Sequence, residues 1–234
     1  MNKLLKGIVW TLILSVTLGF RISPGKWNVS KADPTVWIKL CASTWTIQDN
    51  DLPDGDVLAG VSGITFSQVL QSVIDDYNNI PTSYLRLALY PTDPNNPGTA
   101  LPGDSTFTTQ KAEARTIEIC FGSTDPRAGA SGGYAMPNVV GNQMISCEIR
   151  AAEGHLKKAK FLTHLLTHEL GHCFALQHPQ EATESTMSYF GSLEKKVRLQ
   201  NDDKAGITYR YPEDDQYAKE VATYGLTGCS PRNN

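Results

Sequence analysis

The chain has 234 residues, 40% of them apolar and 19% charged, which suits one globular domain with a sizeable core and excludes an intrinsically disordered chain. Its net charge of −3 leaves no basic footprint, so nucleic acid is not an expected partner.

Lys3 and Lys6 precede an almost wholly apolar run, Ile8 to Phe20 (IVWTLILSVTLGF). A basic start followed by about a dozen apolar residues has the form of a secretory signal and is short for a membrane span. An uncleaved anchor is the alternative. Residues 1–20 are therefore read as an export signal and the rest of the chain as secreted or extracytoplasmic, with no membrane contact beyond that segment. Export gives the five cysteines meaning, because exported thiols tend to pair. Cys41, Cys120, Cys147, Cys173 and Cys229 allow two bridges with one left over, in a pairing that sequence alone does not settle. No C-x-x-C spacing occurs, which favours structural bridges over a cysteine–zinc cluster.

Residues 21–34 are polar, contain Pro24, Gly25 and Pro34, and read as a leader into the fold. Thr35 to Ala42 alternates Val36, Ile38 and Leu40 on one face, as a strand does. Asp49 to Gly60 is an acidic loop. Its carboxylates make calcium a secondary cofactor candidate, but their spacing does not match a twelve-residue calcium loop, and a solvated turn is the better reading. Phe66, Val69, Leu70, Val73, Ile74 and Tyr77 then form one helical stripe, with Thr65 and Gln68 as a capping box and Pro81 as its close.

Tyr84 to Tyr90 resumes strand alternation, and Asp93 to Asp104 is a loop. Thr116 to Phe121 and Gln143 to Arg150 are further strands, with a short glycine-led one, Gly132 to Met136, between them. A second helix is expected from about Leu156 to Leu176. A third follows Asn201, where Asn201, Asp202 and Asp203 offer a cap and negative charge to a helix N-terminus. The order indicates one α/β (α+β) domain, residues 35–211, with helices packed on a mixed sheet and residues 212–234 as a tail.

The chemistry lies in THELGHCFALQHP, Thr167 to Pro179, which holds three of the five histidines. Residues four apart share a helix face with Cβ atoms about 5–6 Å apart, so His168 and His172 can converge on one ion at Zn–N distances of about 2.0–2.1 Å. Glu169 sits one residue round, within reach of a metal-bound water. His178 returns to the same ion only if the helix ends near Ala175 and the chain turns sharply. A chance HExxH occurs in well under about 1% of such chains, and the third histidine makes chance rarer still; a metal site outweighs a solvated histidine-rich face. His164 lies a turn earlier. One ion cannot take both His164 and His172, because eight residues of helix rise about 12 Å, so His164 is read as packing behind a ligand. No serine sits in a G-x-S-x-G elbow, which argues against a serine hydrolase.

HELGHCFALQH resembles the extended zinc motif of the metzincin metalloproteases, HExxHxxGxxH. ESTMSYF, Glu184 to Phe190, is similar to their Met-turn, with Met187 as the apolar floor beneath the metal. The form M-S-Y is closest to serralysins and astacins. The short spacing from His178 to Met187 and the stretch LQNDDKAGITYRY, Leu199 to Tyr211, are more like matrixins. The resemblance covers roughly residues 110–211.

That resemblance implies a twisted mixed sheet with an active-site helix, a backing helix and a C-terminal helix, and a secreted zinc endopeptidase acting on protein or peptide substrates. In it His168, His172 and His178 hold zinc and Glu169 is the general base. Tyr189 is a phenol that swings from the metal to the developing oxyanion, with packing beside Phe190 as its plain alternative. Substrate lies extended beside Gly132, Gly133, Tyr134 and Ala135, and Tyr189 to Ser192 walls an apolar pocket just past the scissile bond. The sheet order of the resembling fold suggests bridges Cys120–Cys147 and Cys173–Cys229, leaving Cys41 unpaired. A monomer is expected. There are two departures. Ala175 stands where the family has glycine, at a position that often needs φ > 0 and where a Cβ costs roughly 1–2 kcal/mol. Residues 21–34 are also too short for a cysteine-switch propeptide. Two other readings remain: a zinc-stabilised binding module without catalysis, which would not need Glu169, and a metal hydrolase of a non-peptide amide.

Overall fold

The computed structural model describes residues 21–40, 46–90, 115–121, 132–152, 157–179, 185–188 and 196–224. Residues 1–20, read as an export signal, Cys41, the stretch Asp93 to Asp104 read as a loop, Tyr189 to Ser192 and Cys229 lie outside the described residues.

The described residues begin with two short strands, β1 (Arg21–Ile22) and β2 (Lys26–Trp27). β3 (Thr35–Leu40) lies between β4 (Arg86–Leu89) and β5 (Thr116–Phe121), β5 pairs with β7 (Gln143–Ala151), and β2 joins β7 at Gln143 and Met144. All of these pairs are parallel. β6 (Gly133–Val140) is antiparallel to β7, reached through Gly141 at φ 62°, and among the described residues pairs with no other strand. Pro137 sits inside β6, which an edge strand tolerates because the missing N–H faces away from the ladder. The sheet is therefore mixed, as expected, and β6 runs eight residues where five were read.

Helix α1 (Phe66–Asn78) has the capping box read from its sequence: Gln68 N donates to Thr65 Oγ1 at 3.3 Å and Thr65 N to Gln68 Oε1 at 2.8 Å. Its stripe of Phe66, Val69, Leu70, Val73, Ile74 and Tyr77 is buried. At roughly 1.5–3 kcal/mol per buried side chain, that face settles how the helix lies on the sheet.

Helix α2 (Ala159–Cys173) carries the histidine motif and is shorter than expected at both ends. Lys158 at its N-cap contributes no side-chain bond. The acidic loop supplies the cap instead: Asp51 Oδ1 accepts from Lys160 N and Asp49 O from Ala159 N, both at 2.9 Å. Asp56 in the same loop takes a two-pronged ion pair from Arg198, both contacts 2.8 Å. The Asp51 carboxylate thus holds one helix and that of Asp56 an arginine, and nothing supports calcium there.

Helix α2 ends by turning. Ala175 has φ 65°, so the turn takes the left-handed form despite the methyl. Two-residue β8 (Leu176–Gln177) follows and pairs antiparallel with β1, Arg21 opposite Gln177 and Ile22 opposite Leu176. Residues read as a leader are thus built into the fold. The same holds in the expected tail, where α4 (Asp215–Tyr224) follows α3 (Asn201–Arg210).

The cysteine pairing expected from the resemblance is corrected. Cys147 bonds Cys173, tying β7 to the last turn of α2. In register Cys147 lies opposite Ile117, and Cys120 opposite Arg150, so Cys120 and Cys147 are three residues out of step. That is roughly 10 Å along a strand, beyond the about 7 Å a bridge spans. The bond to Cys147 also removes Cys173 as a partner for Cys229. Cys120 is itself disulfide-bonded.

Candidate metal centre

His168 and His172 stand on one face of α2, and β8 brings His178 back towards them. His178 Nε2 lies 3.0 Å from His168 Nε2 and 3.2 Å from His172 Nε2. Three nitrogens at about 2.0–2.1 Å from a tetrahedral zinc would be about 3.3 Å apart, close to these separations. Backbone carbonyls set the tautomers: His168 Nδ1 donates to Thr186 O and His172 Nδ1 to Leu176 O, both at 2.8 Å. Both rings are left with Nε2 lone pairs aimed at His178. One proton on His178 could satisfy at most one of them, whereas a cation satisfies all three, so the donor set fits zinc. Among the described residues this is the one cluster of three such side chains able to hold a metal.

The three imidazoles are also in the right protonation state. Burial, followed by the charge on His172, lowers His168 to about 3. Burial lowers His172 and His178 to about 4, with each also disfavoured by a neighbouring histidine. All three are neutral at pH 7, the state a metal ligand requires. His164 stays behind them, its Nδ1 on Lys196 O at 2.8 Å and its ring 5.7 Å from that of His168.

Glu169 is 5% exposed, and burial pushes its carboxyl up to about 7 against the opposing effect of a hydrogen bond from the Ala135 N–H. Its Oε2 has no hydrogen-bond partner among the described residues. An unpaired buried carboxyl oxygen costs about 1–3 kcal/mol or more.

The edge strand β6 is held close to this helix. A Cβ on Gly132 would come within 2.4 Å of Phe161 Cζ, and one on Gly133 within 2.8 Å of Leu165 Cδ1 and 2.9 Å of Arg150 O. These two glycines let β6 approach α2, while Tyr134 and Ala135 continue the edge, half-buried.

Met187 is buried, 1% exposed, with its sulfur against Gly171 of α2. Gly171, next to His172 on α2, leaves it room: a Cβ there would stand 2.3 Å from Met187 Sδ. The turn at Ser185–Ser188 hangs on one carboxylate that sequence reasoning took only for helix capping. Asp203 accepts from Ser185 Oγ, from Thr186 N at 2.9 Å, from Met187 N at 3.3 Å and from Gln200 N at 2.9 Å. Because Thr186 O orients His168, Asp203 acts on that ring through one peptide. Backbone acceptors such as Thr186 O and Leu176 O leave no mark in a sequence. The acidic pair Asp202–Asp203 was visible, but not which of the two turns inward.

No curated protein sequence matches the chain. Among solved structures it is similar to one titled "GM1 bound form of the ECX AB5 holotoxin", at 11% identity over 82% of this chain and 89% of that one, with a TM-score of 0.45. That likeness is too slight to assign anything. The family comparison is extensive: the matrixin model matches residues 44–212. Matrixins are metzincin metallopeptidases, and this chain belongs to the matrixin family.

Proposed function

We propose that the chain is an exported zinc endopeptidase, with zinc held by His168, His172 and His178 and with Glu169 as general base. The observation that carries this reading is the convergence of three neutral Nε2 donors beside a buried carboxyl with one unpaired oxygen. Bound zinc would polarise a peptide carbonyl and acidify water. Glu169, with a proton affinity near neutrality, takes a proton from the attacking water and passes it to the leaving amine. The Ala135 N–H aims that carboxyl from the strand along which substrate would lie. An extended peptide would lie along β6 beside Gly132, Gly133, Tyr134 and Ala135, gaining affinity from main-chain pairing and selectivity from side-chain pockets.

By the resemblance of the sequence, Tyr189 would supply a phenol to the oxyanion and Tyr189 to Ser192 would wall an apolar pocket past the scissile bond; these residues lie outside the described ones. Export is supported by the basic-then-apolar start and by the buried Cys147–Cys173 bridge. No described helix is long and apolar enough to cross a membrane. The test is incubation of purified protein with casein and a peptide library, with and without chelator. Chelator-sensitive cleavage supports the proposal. Zinc binding without cleavage would instead indicate a binding module, and hydrolysis only of non-peptide amides would indicate the other hydrolase class.

A further inference from the structure

Residues 21–27 precede the matrixin match, which begins at residue 44, yet they are built against the turn that joins two of the histidines. We propose that this N-terminal strap is a positioning element of the metal centre, holding the left-handed turn at Ala175 so that His178 returns to His168 and His172. The proposal rests on the zinc reading above.

Ala175 takes φ 65°, backbone that a Cβ disfavours and that glycine adopts freely. A helix C-terminus also leaves carbonyls without helical partners, and buried ones must find others. The strap supplies two. Trp27 Nε1 donates to Cys173 O at 2.8 Å, and Ser23 N to Ala175 O at 2.9 Å. Beyond the turn, Ile22 pairs with Leu176, whose carbonyl orients His172, and Arg21 pairs with Gln177, the residue before His178. The strap is itself anchored at its far end. Trp27 is 1% exposed, its N–H donates to the Tyr211 hydroxyl at 3.1 Å, and Lys26 N donates to Asn142 O at 3.0 Å. A residue poorly suited to the turn is thus matched by a segment that bonds both sides of it.

Ser23→Pro removes both donors to Ala175 O, the amide at 2.9 Å and the longer hydroxyl contact at 3.5 Å, while Ser23→Ala removes only the hydroxyl and keeps the amide. Each variant is made in the full chain and loaded with zinc, and metal loss to excess chelator is timed. The visible spectrum of the cobalt-substituted protein reports ligand geometry. Ser23→Pro is expected to release zinc about fivefold faster, the effect of one buried hydrogen bond, and to shift the cobalt bands. Ser23→Ala, which loses only the 3.5 Å hydroxyl contact, should stay within about twofold of the native protein. Ala175→Gly removes the disfavoured methyl, so in that background Ser23→Pro should change release by less than about twofold, a coupling that distant sites do not show. Thr65→Ala serves as a control, since it removes a helix cap far from the histidines and should leave release unchanged.

Native release rates in a folded Ser23→Pro overturn the proposal. So does equal acceleration by Thr65→Ala, or an effect undiminished by Ala175→Gly. If Ser23→Pro does not fold, Trp27→Phe, which keeps an aromatic ring but removes the indole donor and some buried volume, is held to the same outcomes. A native protein that binds no zinc at all refutes the metal reading itself, and that is settled before any variants are compared.

Discussion

Asp203→Asn should destabilise the protein by about 3 kcal/mol and loosen the metal. The carboxylate is 1% exposed, and both oxygens are committed: Oδ2 to the Thr186 and Gln200 amides, Oδ1 to the Ser185 hydroxyl and the Met187 amide. Asparagine must turn its NH₂ towards one of these pairs. The less costly choice faces Ser185, whose hydroxyl can rotate to accept, with the weaker Met187 bond lost. The Thr186 and Gln200 bonds survive but become neutral, each falling from about 1.5–3 to about 0.5–1.5 kcal/mol. Loss of negative charge in the first turn of α3 adds about 0.3–1 kcal/mol. Near 3 kcal/mol, the midpoint of thermal unfolding should drop by about 6–12 °C for a domain of this size. Since Thr186 O holds the His168 ring, zinc affinity should fall about 10–100-fold, as for other losses behind a metal ligand. Calorimetry and chelator competition read the two effects. Stability within about 0.5 kcal/mol of native, the range of an ordinary surface change, would refute the anchoring argument.

Gly171→Ala places a methyl 2.3 Å from Met187 Sδ and should cost about 1–3 kcal/mol by overpacking; wild-type stability by urea titration would show that the floor yields freely. Asp202 is raised to about 6 by burial, then by the charge of Asp203, and its Oδ2 has no partner among the described residues. Between its ordinary 3.8 and about 6 the folded state holds the extra proton, so stability falls as pH rises through that window. Asp202→Asn should therefore stabilise by roughly 1–2 kcal/mol at pH 7, after allowance for partial exposure, and by almost nothing below about pH 4; an equal gain at both pH values in denaturant titrations would contradict this. Tyr189→Phe removes only a hydroxyl, and if the phenol serves the oxyanion, kcat should fall about 10²–10³ with little change in KM; full kcat would make it a packing residue.

Features built from neighbours in sequence could be read directly. The Thr65–Gln68 box and the stripe from Phe66 to Tyr77 are local, and α1 begins where the box places it. β5 spans the six residues its β-rich composition marks. The ligand spacing His168, His172, His178 implied a helix ending near Ala175, and α2 ends at Cys173. What escaped depends on distant partners. Trp27 is 146 residues from the carbonyl it bonds, and nothing in a polar stretch with Pro24 and Gly25 marks it as a strap. Cys147 could not be matched to Cys173 without knowing that β7 runs under the end of α2. The N-terminal limit of α2 was misplaced because its cap comes from Asp51, 109 residues away, and not from Lys158.

The most direct test of the account is zinc content and peptide cleavage measured together on Glu169→Ala. This substitution removes the carboxyl and leaves all three imidazoles and their carbonyl partners, so the variant should retain about one equivalent of zinc, as a site with its ligands intact does, while peptide cleavage disappears. Cleavage at the native rate by the zinc-loaded variant would contradict the assignment of Glu169 as the base.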